Sequence, residues 1–261
     1  MDDNIIDYDE TNLDSEQKQF FNSRIEYLQK KFKKRHVNLY GCQNKDEVHS
    51  TISSIIDQRN IKSIGFADSS TLHEMDVFDH IEKFGIKTIN PFERFPDGIF
   101  KVFGLQPDGK LNLPEDEYLS KVEKLDDLKR EALITDLFII GANAVTMNAE
   151  IVSIDGSENR VAGQIFGPKY VLIIVGRNKI VKDVDMALWK IYNYTAPINY
   201  LRHIHKHQNR GHGLPCLNWG GGCADCNHKG RACYNTVIQA GSTSNNSDRT
   251  HLIIVNEDLG I

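Results

Sequence analysis

Residues 135–183 read TDLFIIGANAVTMNAEIVSIDGSENRVAGQIFGPKYVLIIVGRNKIVKD, and this stretch decides the fold. Leu137 to Ile140 is an apolar run that stops at Gly141-Ala142-Asn143, and Tyr170 to Val175 is another that stops at Gly176-Arg177-Asn178-Lys179. Neither run alternates apolar with polar residues, so both read as strands covered on two faces. Between them Ile151 to Ile154 reads as a shorter strand and Asp155-Gly156 as a turn pair. Asn159 is placed to cap a short helix over Arg160 to Phe166, which Gly167-Pro168 ends. Polar residues follow each apolar run at the carboxyl ends of the strands, where open α/β sheets place their ligands.

Upstream, Phe21, Ile25, Leu28 and Phe32 fall at helical spacing and predict a long amphipathic helix from Ser15 to near His36, able to pack on the domain or on a second subunit as a homo-oligomer. Val37 to Cys42 reads as a strand, and Asn44 with Glu47 signals the start of a helix carrying Val48, Ile52, Ile55 and Ile56. Ile61 to Phe66 is the next strand. The loop Asp68-Ser69-Ser70-Thr71 follows, with Thr71 and Glu74 spaced as a capping box for a helix to about Phe84. Such a hydroxyl-rich loop offers donors to an anion, or serves only as a cap. Lys87 to Phe92 is a third strand. Residues 96–114 hold three prolines and two Asp-Gly pairs, and read as a long excursion of the kind that covers a site.

Downstream of that excursion, Glu115 to Ala132 returns to helix and leads into Leu137. Beyond residue 183, Asp183 caps a helix that Pro197 interrupts before Ile198 to Ile204. Strands follow at Thr236 to Gln239 and at Leu252 to Val255, the latter closing the sheet. The alternation of strand and helix predicts an α/β fold with a mainly parallel sheet flanked by helices, an N-terminal helix and a Cys-rich C-terminal loop.

The net charge of −5 is uneven, since residues 1–16 hold seven acids and no Lys or Arg. Without them 31 bases face 29 acids, leaving a nearly neutral body with no basic stripe for nucleic acid. Residues 1–14 read as an acidic flexible tail, and 15–261 as one α/β domain. No apolar run approaches the ~18 residues a bilayer span needs, and the acidic N-terminus is unlike a signal peptide. A cytoplasmic location without membrane attachment is the default expectation.

Four of the five cysteines, Cys216, Cys223, Cys226 and Cys233, form a C-x6-C-x2-C-x6-C segment. A Cys-x2-Cys pair lets two thiolates reach one ion at ~2.3 Å, and the outlying pair completes its coordination. In a chain without an export signal this points to a metal before disulfides. Four thiolates suit a structural zinc; an iron–sulfur cluster uses the same ligands and is the alternative, although no ferredoxin-type Cys run is present. His203, His205, His207 and His212 lie just upstream, either as additional ligands or as a polar helix end.

No nucleophile elbow or glycine-rich phosphate loop of standard spacing occurs. Arg160 and Lys179 are candidates to hold a carboxylate or phosphate, with Glu150 or Asp155 as a base. Asp68, Ser69, Ser70, Thr71, Asn143, Asn159, Lys169 and Asn178 are candidate ligand-binding residues, though Asn143 and Asn178 could simply shape their turns.

The series Asn143-Ala144-Val145, Glu150, Asp155-Gly156, Asn159-Arg160-Val161-Ala162, Phe166-Gly167-Pro168-Lys169, Gly176 and Asn178-Lys179-Ile180-Val181 resembles the LUD-domain (lactate utilisation) family. The resemblance extends to the ending Val255-Asn256-Glu257-Asp258-Leu259-Gly260 and to Asp225-Cys226 in a Cys-rich segment. Ala149 departs from the pattern, where a glycine is usual. The resemblance implies a fold like that of ribose-phosphate isomerases, glucosamine-phosphate deaminases and CoA transferases. It also implies an accessory or subunit role in L-lactate utilisation, with a small anionic metabolite or cofactor as ligand and iron–sulfur lactate-oxidising proteins as partners. Two other readings stay open: a free-standing enzyme on a sugar phosphate or acyl-CoA, and a metal-stapled binding or regulatory protein without catalysis.

Overall fold

The computed structural model describes residues 12–95, 99–104, 113–206, 231 and 233–261. Its centre is a six-stranded, wholly parallel sheet of β1 (Val37–Cys42), β2 (Ser63–Phe66), β3 (Lys87–Ile89), β4 (Leu137–Gly141), β7 (Tyr170–Gly176) and β10 (Thr250–Val255), in the spatial order β1-β10-β7-β4-β2-β3. The two apolar runs that flag the fold are therefore hydrogen-bonded neighbours, Leu137 opposite Tyr170 and Gly141 opposite Ile174. Strand β10 does not close the sheet as expected; it lies inside it, between β1 and β7.

Alternate residues of each strand feed opposite layers. Phe138, Ile140, Val171, Ile173, Val175, Leu252 and Ile254 pack with Phe21, Ile25, Leu28 and Phe32 of α1 (Asp14–Lys34). Leu137, Ile139, Leu172, Ile174, Ile253 and Val255 pack instead with Val48, Ile52, Ile55 and Ile56 of α2 (Lys45–Arg59), and with α3 (Ser70–Glu74) and α4 (Val77–Glu82). Two buried faces explain why these strands carry unbroken apolar runs. As predicted, Asn44 caps α2, its Oδ1 accepting from Glu47 N at 3.1 Å. The helix expected over 71–84 is instead two short ones, separated at Asp76, whose φ is 47°. Thr71 is no cap: Ser69 precedes the first turn, and Glu74 Oε2 accepts from Gly260 N at 2.9 Å.

A second sheet, unforeseen from the sequence, has the order β8-β5-β6-β9. It comprises β5 (Ala144–Thr146), β6 (Ile151–Asp155), β8 (Ile180–Val181) and β9 (Asn235–Gln239), with β6 antiparallel to both its neighbours. Helix α6 (Asn159–Ile165) follows β6, and α5 (Glu115–Ala132) spans the expected residues. Third strand β3 ends at Ile89 rather than Phe92, and the excursion after it makes an antiparallel bridge between Arg94 and Phe100. Pro197 does not break the chain. Helix α7 (Val184–Lys190) runs through a π-turn over Ile191–Thr195 into α8 (Ala196–Lys206). Widening the preceding turn accommodates a proline that has no N–H and would crowd the carbonyl four residues back.

No helix among the described residues is long and apolar enough to cross a membrane. Cys216, Cys223, Cys226, His207 and His212 lie outside the described residues; His203 and His205 fall within α8.

Candidate functional site

A cleft of about 350 Å³ opens at the carboxyl ends of β2 and β4. The loop after β2 supplies Asp68 to Thr71, the end of β4 supplies Gly141 to Asn143, and the end of β6 with the start of α6 supplies Asp155 to Arg160. Ile191, Tyr192 and Thr195 of the π-turn, with Tyr200 and Arg202 of α8, form a further wall; Phe92 and Phe100 of the excursion also line it. Of the described part of residues 96–114, Phe100 stands on the lining.

Main-chain and side-chain groups hold the acidic residues in place. Asp155 is 8% exposed and accepts from Gly156 N and Arg160 N, each at 3.0 Å, so its carboxylate caps α6. Asn159, the expected cap, is instead the first helical residue, and Glu158 precedes it with φ 66°. Asp68 lies 3.8 Å from Arg94 as an ion pair and 3.5 Å from His73 Nε2, while its carbonyl accepts from Arg160 Nη2 at 2.8 Å. Arg94 in turn lies over the Phe100 ring at 3.7 Å.

Three donor-bearing groups on the lining have no hydrogen-bond partner among the described residues: Asn159 Nδ2, Arg160 Nε and Thr195 Oγ1. Asn159 and Thr195 are each 6% exposed. A buried polar group left without a partner costs about 1–3 kcal/mol, so such groups normally have a counterpart. Five basic residues, Lys129, Arg160, Lys179, Arg202 and Arg231, line the cleft against two acids, Asp68 and Asp155, a balance that favours an anion.

Lys179 also lines the cleft. It ends the short 3-10 turn after β7, is buried, and its Nζ donates to the main-chain oxygen of Ile261. Burial first, then the Lys190 cation and more weakly Arg160, against the opposing pull of Glu74, bring its pKa down to about 7.

Of the residues marked in the sequence, Asp68, Ser69, Ser70, Thr71, Asn143, Asp155, Asn159, Arg160 and Lys179 therefore meet in one cleft. Glu150 lies elsewhere, accepting from Thr146 Oγ1 and 3.8 Å from Arg35. Lys169 is an exposed partner of Asp136, at 2.7 Å, near the opposite ends of the strands. Asn178 clamps the C-terminal segment, accepting from Leu259 N and donating to Leu259 O, both at 3.2 Å. Cys233 alone of the four clustered cysteines is described, and it lines the cleft, beside the apolar cluster under α7. Among the described residues no group of three or more His, Cys, Asp or Glu side chains could hold a metal ion. Arg94 and Thr195 lay outside the sequence reading. Pro197 was the available signal for the second, because the π-turn it imposes turns Thr195 inward.

Among solved structures, a DUF162 family protein from Deinococcus radiodurans aligns over 93% of this chain and 98% of its own, with 11% identity and a TM-score of 0.43. Ribose 5-phosphate isomerase from Plasmodium falciparum aligns over 53% of this chain and 54% of its own, with 16% identity and a TM-score of 0.26. For eIF2B delta from Chaetomium thermophilum the coverage is 66% of this chain and 54% of its own, with 11% identity and a TM-score of 0.29. Overlaps of that size leave the fold resting on the strand order and directions given above. No curated protein matches the sequence. The sequence profile of the LUD domain matches residues 25–255, from the middle of α1 to the last residue of β10, and the chain belongs to the LUD-domain family.

Proposed function

We propose that the cleft binds a small carboxylate-bearing metabolite, and that the protein acts as an accessory or subunit in the oxidation of L-lactate to pyruvate alongside iron–sulfur partners. The observation that supports this is a cleft with an excess of cations, three of whose lining residues, Asn159, Arg160 and Thr195, each carry a buried donor with no partner among the described residues. A carboxylate offers only acceptors, and these groups have hydrogens to donate. Arg160 is held by its own main-chain N–H and by Nη2, while its buried Nε has no partner among the described residues, and a guanidinium forms strong charge-assisted bonds to carboxylates. Titration calorimetry with L-lactate, pyruvate and inorganic phosphate at low salt tests the reading. Saturable binding of a 2-hydroxy or 2-oxo acid, weakened in Arg160→Gln, is expected. Absence of saturable heat with all three anions would sink it.

The same proposal takes Cys216, Cys223, Cys226 and Cys233 as ligands of a structural zinc ion, which would staple that segment to itself. Anaerobic purification followed by metal and sulfide analysis decides it. A colourless protein with a single zinc ion, lost in Cys226→Ser, is expected. A brown protein containing iron and sulfide would replace zinc with a cluster and make the segment an electron carrier.

A further inference from the structure

Lys179 is a buried amine on the wall of a cleft, and anchoring the chain is only part of what it can do there. Its Nζ makes its hydrogen bond to a main-chain oxygen, that of Ile261. A neutral amine that donates one N–H in this way keeps its lone pair. The charged groups acting on it come from three elements: Lys190 of α7 and Arg160 of α6 disfavour the ammonium form, and Glu74 of α3 favours it. Lys190 is itself engaged, donating to the carbonyl of Asn178. Burial weighs most, and with the cationic neighbours it holds Lys179 at a pKa of about 7, so that much of it carries a lone pair at neutral pH. Arg160, a guanidinium of the kind that pairs with carboxylates, lines the same cleft.

We propose that Lys179 is a reactive amine that adds to the carbonyl carbon of a 2-oxo acid held in this cleft, forming an imine. The amine lone pair forms the C–N bond, the carbonyl oxygen leaves, and the two amine protons depart with it as water. No oxidant or reductant is consumed. Arg160 holds the carboxylate next to the reacting carbon, and the low exposure of Lys179 keeps competing water away from the imine. The inference deepens the carboxylate reading of the same cleft and rests on it.

The full chain is incubated at neutral pH with pyruvate and sodium cyanoborohydride, which reduces an imine to a stable secondary amine, and the product is mapped by mass spectrometry. Lys179 is expected to be alkylated at least about tenfold faster than exposed Lys182, because ordinary lysines are almost wholly protonated there. Lys179→Arg is expected to lose the fast adduct. The mapping is done on the unmodified sequence and does not depend on that variant folding. Alkylation spread evenly over exposed lysines, or none at Lys179, overturns the inference. Calorimetry on the same sample with pyruvate and L-lactate separates the two ideas: absence of a Lys179 adduct while either acid binds removes the imine alone, whereas absence of binding by both removes the carboxylate reading with it.

Discussion

Ser69 Oγ occupies the space in which a side chain at Gly141 would begin: a Cβ there would stand 2.4 Å from it and 3.3 Å from Ser69 Cβ. The absence of a side chain at the end of β4 is what lets the hydroxyl loop after β2 close on the strand ends and line the cleft. In Gly141→Ala the serine hydroxyl can rotate away, so the fold is expected to survive with a loss of about 1 kcal/mol in urea denaturation. Rotation takes Ser69 out of its place on the lining, and anion affinity in calorimetry is expected to fall. Unchanged affinity would show that Ser69 takes no part in binding.

Asp155 joins the last residue of β6 to the first turn of α6 through Gly156 N and Arg160 N. Asp155→Ala leaves both donors without their acceptor and removes a carboxylate from the helix start. A loss of about 1–2 kcal/mol is expected. Asp155→Asn keeps an acceptor and should recover most of it. Because Arg160 is set by this cap, the alanine variant is also expected to bind anions more weakly than the asparagine variant, which calorimetry on the pair would check.

Ala149 stands at φ 64°, buried, with its N–H donating to Thr146 O at 2.9 Å. This is the left-handed region, where a Cβ meets the neighbouring carbonyl and a glycine is favoured. Ala149→Gly is expected to stabilise the protein by about 1 kcal/mol, with the gain in steric relief partly offset by unfolded-state entropy. A melting temperature unchanged or lowered would contradict it.

The central sheet was legible because its strands are buried on both faces: Leu137 and Ile139 meet one layer of helices, Phe138 and Ile140 the other, and the apolar run needs no period. Spatial order was not legible, since nothing local in Leu252 to Val255 says that β1 and β7 flank it. Nor was the second sheet, whose strands β5 and β8 are three and two residues long, too short for a pattern. At the cleft, the loops after strands announced Asp68 to Thr71 and Asp155 to Arg160 through their residue types. Glu150 and Lys169 look equally suitable in sequence, but their long-range partners, Arg35 for Glu150 and Asp136 for Lys169, place them elsewhere. Thr195 is an ordinary helix residue until the π-turn buries its hydroxyl.

Lys179 gives the protein a pH dependence whose sign is fixed by its environment. In the unfolded chain it titrates as an ordinary lysine, at about 10.4, whereas burial and the Lys190 and Arg160 cations hold it at about 7 in the fold. Between those values the unfolded state binds a proton that the folded state does not, so this residue makes stability rise with pH across that window. Below about 7 both states are charged and the full cost of burying the ammonium is present; above the unfolded value neither is charged and the cost is gone. Lys179→Met removes the titrating group while keeping an apolar stem of similar length. Taking the difference between the two proteins cancels the other shifted groups, among them Lys190 and His251, whose pKa values burial also lowers. In urea denaturation the methionine variant is expected to be more stable at mildly acidic pH, by about 1–4 kcal/mol, and that advantage should shrink steadily as pH rises through the window. An advantage that stays constant with pH would mean that Lys179 is charged throughout. The low folded pKa, and with it the neutral amine on which imine formation depends, would then be wrong.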